Sequence, residues 1–231
     1  MTIQEKEMLQ VLFDCTLSVI DTTPRGIFAD EPFFSFSDDI VQNNSPSLSN
    51  PLENLNKKIE NCNHCKLCQT KNRAIVGQGS SKPSLLIVVG ENYGTTQSED
   101  ALFLPEEKEM LTNMLKAIDL SITEDCYITS LIKCQTQQKI TFAEQDACRA
   151  IFDAEVQVLK PKLIVALGDS AIQNLLSTRQ SLYDLHGKYF EYKNIPLTAI
   201  YHPHVMIQNP QLKRPTWEDL KLLKSKFFPQ G

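Results

Sequence analysis

Two thiols set two residues apart, Cys62 and Cys65, are joined far downstream by Cys134 and Cys148. A CxxC turn offers two soft ligands from one tight loop, and a zinc ion or an iron–sulfur cluster needs four such thiolates to converge. Cys134 and Cys148 fall beside a strand end and a helix start, where a fold can return them to that turn. Spacing alone leaves zinc and iron–sulfur open, and a CxxC turn with two unrelated buried thiols would look similar. Cys68 extends the run to "CNHCKLC", while Cys15 and Cys126 read as ordinary buried or incidental thiols. A second constellation follows the apolar run "LLIVV", which stops on Gly90 and continues as Glu91, Asn92, Tyr93 and Gly94. Polar residues at a strand end pack poorly but can face a cleft. A third is "YHP", which puts His202 at a strand end before Pro203.

These groups need a scaffold, and the hydrophobic periodicity supplies one. Helices are expected over Leu52–Asn61, Glu106–Ile118, Phe142–Leu159, Ser170–Leu176 and Thr216–Phe227. Strands are expected near Ala74–Val76, over Leu85–Val89, and in "CYITSLIKC", "KLIVALG", "LHGKYFEY" and "IPLTAIYHP". Strands alternating with helices imply an α/β fold with three layers, α/β/α, and a mostly parallel central sheet. Sites in such folds lie beyond the carboxyl ends of the strands, so the loops after Val89, after "YITSLI" and at "GDSA" should meet in one cleft. Residues 52–231 form that domain.

Residues 1–51 differ in kind. Met1–Ile20 has apolar residues at helical spacing, whereas Asp21–Pro51 is rich in Ser, Asp, Asn and Pro and offers little surface to offset ordering entropy. The expectation is a helix followed by a flexible linker. The aromatic cluster Phe33, Phe34 and Phe36 suggests a rival reading, a docking segment for a protein partner.

A net charge of −5 and a pI near 5.4 argue against a uniformly basic nucleic-acid coat, though a local basic face is compatible with both. The first residues, "MTIQEKEMLQVLFDC", interleave charge with apolar residues and lack a secretory signal. No run is long enough to span a bilayer. Seven cysteines without an export signal point to reduced thiols or metal ligands and to the cytoplasm.

Taken in order, "CNHCKLCQTKNRAIVGQG", "GENYGTTQSED", "YITSLIKC", a helix carrying Cys148, "KPKLIVALGDSA" and "YHP" resemble the iron–sulfur, or family 4, uracil-DNA glycosylases. The resemblance runs from about Leu52 to Phe228. It implies the fold of the uracil-DNA glycosylase superfamily and a [4Fe-4S] cluster on Cys62, Cys65, Cys134 and Cys148, with zinc as the alternative. Cys68 matches no ligand position. The implied role of the cluster is structural, tying the N-terminal segment to the loops beside the cleft. The implied partner is DNA, single- or double-stranded, met by a monomer.

The resemblance also assigns the cleft. A glycosylase extrudes its target nucleotide, which costs on the order of a few kcal/mol, and holds the base in a snug pocket. Phe103 matches the stacking phenylalanine, although a core Phe is the plain alternative. His202 matches the histidine that stabilises negative charge on the departing base. His186 and His204 have no such match and read as surface or packing residues. Glu91 matches the motif glutamate, while Asn92 is of the same residue type as the water-orienting asparagine of the mismatch-specific branch. Tyr93 stands where proline is usual, at a position to narrow the pocket or touch the base. Ser130 replaces the asparagine that pairs with the polar edge of uracil, and loss of a bidentate pairing removes about 1–3 kcal/mol of discrimination. Met206 falls where relatives place an apolar wedge. Lys213 and Arg214, with Lys66, Lys71, Arg73 and Lys133, are candidate phosphate contacts if they share a face.

Two functions follow. One is a DNA-repair glycosylase that hydrolyses the N-glycosidic bond of uracil or another deaminated base and leaves an abasic site. The other is a catalytically degenerate iron–sulfur module that keeps the fold and binds DNA or a partner.

Overall fold

The structure is a computed structural model that describes residues 50–90, 102–136 and 140–229. The expected N-terminal helix, the linker and the Phe33, Phe34 and Phe36 cluster lie outside the described residues, as do Glu91, Asn92, Tyr93 and Gly94. In chain order the elements are α1 (Pro51–Glu60), α2 (Leu67–Thr70), β1 (Arg73–Ala74), β2 (Gln78–Gly79), β3 (Leu85–Val89), α3 (Pro105–Lys116), β4 (Cys126–Ser130), β5 (Cys134–Gln135) and α4 (Phe142–Leu159). They continue as β6 (Leu163–Leu167), α5 (Gly168–Leu176), α6 (Leu182–Leu185), β7 (Phe190–Tyr192), β8 (Ile195–Ile200), α7 (Pro203–Gln208), a 3-10 turn (Pro210–Leu212) and α8 (Lys213–Phe227).

Strands β3, β4 and β6 are buried at every position. That is what unbroken apolar runs produce when helices cover both faces of a sheet. The sheet order is β2-β4-β3-β6-β8-β7, with β4, β3, β6 and β8 parallel and β2 and β7 antiparallel at the edges. One face presents Leu86 and Val88 of β3 with Ile164 and Ala166 of β6 to Phe152, Ile172 and Leu182. The other presents Leu85, Ile87 and Val89 with Val165 to Leu111, Leu115 and Leu220. The three expected layers are present, and no described helix is long and apolar enough to cross a membrane.

Helix ends follow local chemistry. Thr141 precedes α4, and its backbone N–H donates to the Glu144 carboxylate at 2.7 Å, a reciprocal cap. Lys193 and Asn194 turn β7 into β8 with positive φ at both residues (51° and 65°), the geometry of a two-residue hairpin.

The expected strand over "CYITSLIKC" divides in two. β4 ends at Ser130, and Cys134–Gln135 forms a separate ribbon with Arg73–Ala74, in the register Arg73↔Gln135 and Ala74↔Cys134. Between them lie Leu131, Ile132 and Lys133, all buried.

From β3 the chain moves to β4 on one side, then crosses to β6 and β8 on the other. This reversal makes the space beyond β3 and β6 the topological switch point, where open α/β sheets bind ligands. Gly90, the residue after β3, abuts the start of α5. A Cβ there would fall 2.3 Å from the Ala171 nitrogen and 2.7 Å from the Ser170 hydroxyl oxygen. Only glycine permits this approach.

Candidate functional site

His202 follows β8 by two residues and caps α7. Its Nδ1 accepts the backbone N–H of His204 at 3.1 Å. With Nδ1 committed as an acceptor, the neutral imidazole carries its proton on Nε2. The side chain is buried. Burial lowers its pKa to about 4, and the neighbouring His204 pushes in the same direction. At neutral pH His202 is therefore an uncharged hydrogen-bond donor. Its Cβ lies near Gly168, the first residue of α5, where an added Cβ would approach to 3.3 Å.

The Phe103 ring stacks on His202, with centroids 5.6 Å apart and planes 23° from parallel. Phe103 also belongs to the core on the α3 face. Its full burial there matches the plain alternative, a core phenylalanine.

Ser130 ends β4 in register with Val89, one residue before Gly90. It is buried, and its Oγ accepts the backbone N–H of Ile132 at 3.2 Å. The Leu131 N–H donates to the Val89 carbonyl at 2.9 Å, holding this turn beside the end of β3.

Sequence reasoning missed a carboxylate here. Glu107, in the first turn of α3, is fully buried. One oxygen accepts the Leu104 N–H at 2.9 Å and the other lies 2.6 Å from Nδ1 of His204. It joins the segment that follows Phe103 to the segment that follows His202. The signal in "LPEEKEM" is an acid three residues into a helix, which predicts a cap and nothing about a histidine almost a hundred residues away. His204 is half-buried and anchored by this carboxylate, as a packing residue is. His186 keeps that description, half-buried with Nδ1 3.3 Å from Asp219.

Two DNA-contact expectations need correction. Met206 is 1% exposed and packs in the core, so it has no free surface to insert into a base stack. The exposed apolar side chain of that helix is Val205. Lys133 is equally buried, with its ammonium 2.5 Å from Glu155 and 2.6 Å from the Thr129 hydroxyl, and cannot reach a phosphate. Lys71 donates to the carbonyls of Glu60 (3.2 Å) and Cys62 (3.5 Å), and Arg73 to the Gln135 side chain (3.1 Å). Lys66, Lys213 and Arg214 are exposed.

The thiols are drawn together. Cys134 and Cys148 share a buried cluster with Leu67 and Ile132, and Cys65 packs against it. Cys62 and Cys65 are near enough for their charges to register at both Cys134 and Cys148. All four are free of disulfides. Burial, then the neighbouring Cys148, pushes the Cys134 thiol up to about 12, and burial raises Cys148 as well. Metal binding would have to displace those protons. Among the described residues no three of His, Cys, Asp and Glu are grouped tightly enough to hold a single ion. The donor set, soft thiols of which Cys65, Cys134 and Cys148 meet at one apolar patch with Cys62 three residues before Cys65, fits an iron–sulfur cluster, whose metal and sulfide core keeps its ligands further apart than one ion does.

A three-layer sheet with a neutral histidine, stacked on a phenylalanine, beyond the carboxyl end of β8 defines the class. A family model of the uracil DNA glycosylase superfamily matches residues 76–221, and the chain belongs to that superfamily. Within it the chain belongs to the type-4 family. It is 30% identical over 185 residues to the type-4 uracil-DNA glycosylase of Archaeoglobus fulgidus, covering 74% of this chain and 90% of that protein. The type-4 uracil-DNA glycosylase of Pyrobaculum aerophilum is 29% identical over 191 residues (78% and 94%), and that of Sulfurisphaera tokodaii 27% over 184 (75% and 83%).

Proposed function

We propose that this chain is a DNA-repair glycosylase that hydrolyses the N-glycosidic bond of uracil flipped from DNA and leaves an abasic site. The observation that carries this reading is His202, buried, uncharged and tautomerically fixed beyond the carboxyl end of β8, stacked on Phe103. As the bond between the sugar and the base breaks, its electron pair leaves with the base. The Nε2–H of His202 donates to the oxygen on which that charge develops, while water adds to the sugar carbon and gives up a proton. A preorganised donor of this kind supplies about 3 kcal/mol of transition-state stabilisation. A neutral donor also avoids the desolvation that a buried imidazolium would suffer.

The remaining roles complete the proposal. Phe103 stacks the extruded base, Ser130 and Tyr93 border it, and Glu91 with Asn92 directs the water. Cys62, Cys65, Cys134 and Cys148 hold a [4Fe-4S] cluster, which when bound ties the segment before β1 to α4. The protein acts on DNA as a monomer in the cytoplasm, and residues 1–51 are available to recruit a protein partner. Deleting residues before Leu52 while keeping excision unchanged would separate recruitment from catalysis.

The deciding experiment is anaerobic purification followed by gel cleavage of single- and double-stranded oligonucleotides containing uracil. Strand scission after alkali, with release of free uracil, is expected. No release by brown, iron-loaded protein would favour the second reading, a degenerate DNA-binding module. That reading has one specific observation behind it: the Ser130 hydroxyl is turned back onto Ile132 and cannot present the paired donor and acceptor of an amide. Release of hypoxanthine or xanthine in preference to uracil would instead mean a shifted base specificity.

A further inference from the structure

Lys133 is held at three points. Its ammonium donates to Glu155 Oε2 at 2.5 Å and to Thr129 Oγ1 at 2.6 Å, and the Thr129 hydroxyl itself donates to the Glu155 carboxylate at 3.0 and 3.1 Å. Its backbone carbonyl accepts the Ile75 N–H at 2.8 Å. The residues on either side of it, Ile132 and Cys134, pack with Cys148 in one buried cluster. The three side chains of this triangle are buried.

Such a triangle is a poor choice for stability alone. Desolvating two charges costs several kcal/mol per ion, and apolar side chains of similar volume often do as well or better. What an ion pair supplies that an apolar pair does not is direction. Here the direction runs between chain segments that carry cysteines. Cys148 and Glu155 lie seven residues apart, so they share one face of α4. The Lys133 ammonium grips that face at Glu155, and its neighbours Ile132 and Cys134 pack against the same face at Cys148. The next residue is Cys134, the start of β5. Lys133 thus holds Cys134 against Cys148, while its carbonyl anchors Ile75 beside the ribbon paired with β1.

We propose that Lys133, acting with Glu155 and Thr129, is a positioning residue that sets the separation of Cys134 and Cys148 for the iron–sulfur cluster. The inference rests on the cluster reading above. Outer-shell partners of metal ligands typically govern metal retention by about 10–100-fold.

The test compares the full-length wild-type protein with the triple variant Thr129→Val, Lys133→Met, Glu155→Met, which removes the charges and the hydroxyl together. Three quantities are measured: the thermal midpoint of the apoprotein, iron per chain, and the rate at which a chelator bleaches the visible cluster band. The expected result is a midpoint within a few degrees of wild type and bleaching at least about tenfold faster. Unchanged bleaching at an unchanged midpoint overturns the inference and leaves the cluster reading intact. Wild-type protein without iron after reconstitution overturns both. Should the triple variant fail to fold, Glu155→Gln, which keeps shape and hydrogen bonding but not charge, decides the matter. Bleaching several-fold faster supports the inference, and wild-type bleaching ends it.

Discussion

The Glu107 carboxylate lies 2.6 Å from Nδ1 of His204 while accepting the Leu104 backbone N–H at 2.9 Å. Phe103 and His202, the two rings proposed to meet the base, are therefore fastened to each other through their neighbours rather than by stacking alone. Glu107→Ala should strip this partner from the Leu104 N–H and from Nδ1 of His204, a loss of about 1–3 kcal/mol each. It should also let the two segments drift apart. The expected outcome is a lower denaturation midpoint and a fall in single-turnover excision of at least about tenfold, since small misplacements of reacting groups are costly. Glu107→Gln, which keeps both contacts within reach, should recover most of the rate. Equal defects in the two variants would mean that the negative charge matters more than the fastening.

The donor role of His202 predicts a rate loss with little change in DNA affinity. His202→Ala should reduce single-turnover uracil excision by on the order of 100-fold, with binding to uracil-containing DNA within about threefold of wild type. A rate loss matched by an equal affinity loss would instead make His202 a binding residue.

The same histidine makes stability pH-dependent in a defined window. Its pKa is about 4 in the fold and ~6.5 in the unfolded chain. Between those values the unfolded chain binds the extra proton. Stability is thus fully present above pH ~6.5, declines as pH falls toward 4 by on the order of 3 kcal/mol, and loses nothing further from this group below that. Urea denaturation at about pH 7 and about pH 4.5 should show the decline in wild type and a smaller one in His202→Ala. Identical declines would place the acid sensitivity elsewhere.

Much of this architecture was legible because apolar runs and helical periodicity report burial directly. Leu85–Val89 and Phe142–Leu159 have the expected bounds, and the three layers follow from their alternation. The two-residue strand Gln78–Gly79 was not legible, because its pairing with β4 depends on a partner about fifty residues away. Buried charge was least legible of all. Lys133 reads as a candidate phosphate contact and Glu107 is not singled out, yet each is enclosed by partners that only the folded chain assembles. Met206 failed for the opposite reason. Its type suits a wedge, but the short helix that carries it turns it inward and leaves Val205 outside. Cys134 and Cys148 were legible as neighbours, and they share one buried cluster, whereas the ion pair of Lys133 with Glu155 beside them was not.

Ser130 offers a gain-of-selectivity test. Its hydroxyl serves the turn by accepting the Ile132 N–H. Ser130→Asn would add an amide able to present donor and acceptor together. Discrimination between uracil and hypoxanthine should then rise by about 1–3 kcal/mol, roughly tenfold or more. Competition between the two substrates in one reaction measures that ratio directly. A ratio that stays flat would show that the pocket wall, rather than residue 130, sets base choice.

Lys213 and Arg214 are the first two residues of α8, a helix with no acidic residue in its first turn. Cations at a helix N-terminus oppose the helix dipole, at a cost of about 0.3–1 kcal/mol each. Helix stability therefore does not account for them. Both are exposed, and α8 begins only eleven residues after His202, through α7 and the 3-10 turn. A DNA phosphate at that end would meet two positive side chains. Replacing both residues by alanine should weaken binding to all DNA sequences alike. It should also flatten the plot of log affinity against log salt, by about 0.9 per lost phosphate contact on duplex and about 0.7 on single strands. The thermal midpoint should stay constant or rise slightly as the unfavourable dipole interaction is removed. Fluorescence anisotropy between about 50 and 200 mM salt reads the slope, and calorimetry the midpoint. A slope that does not move, with affinity lost only for uracil-containing DNA, would remove these two residues from the phosphate contacts and assign them to base recognition.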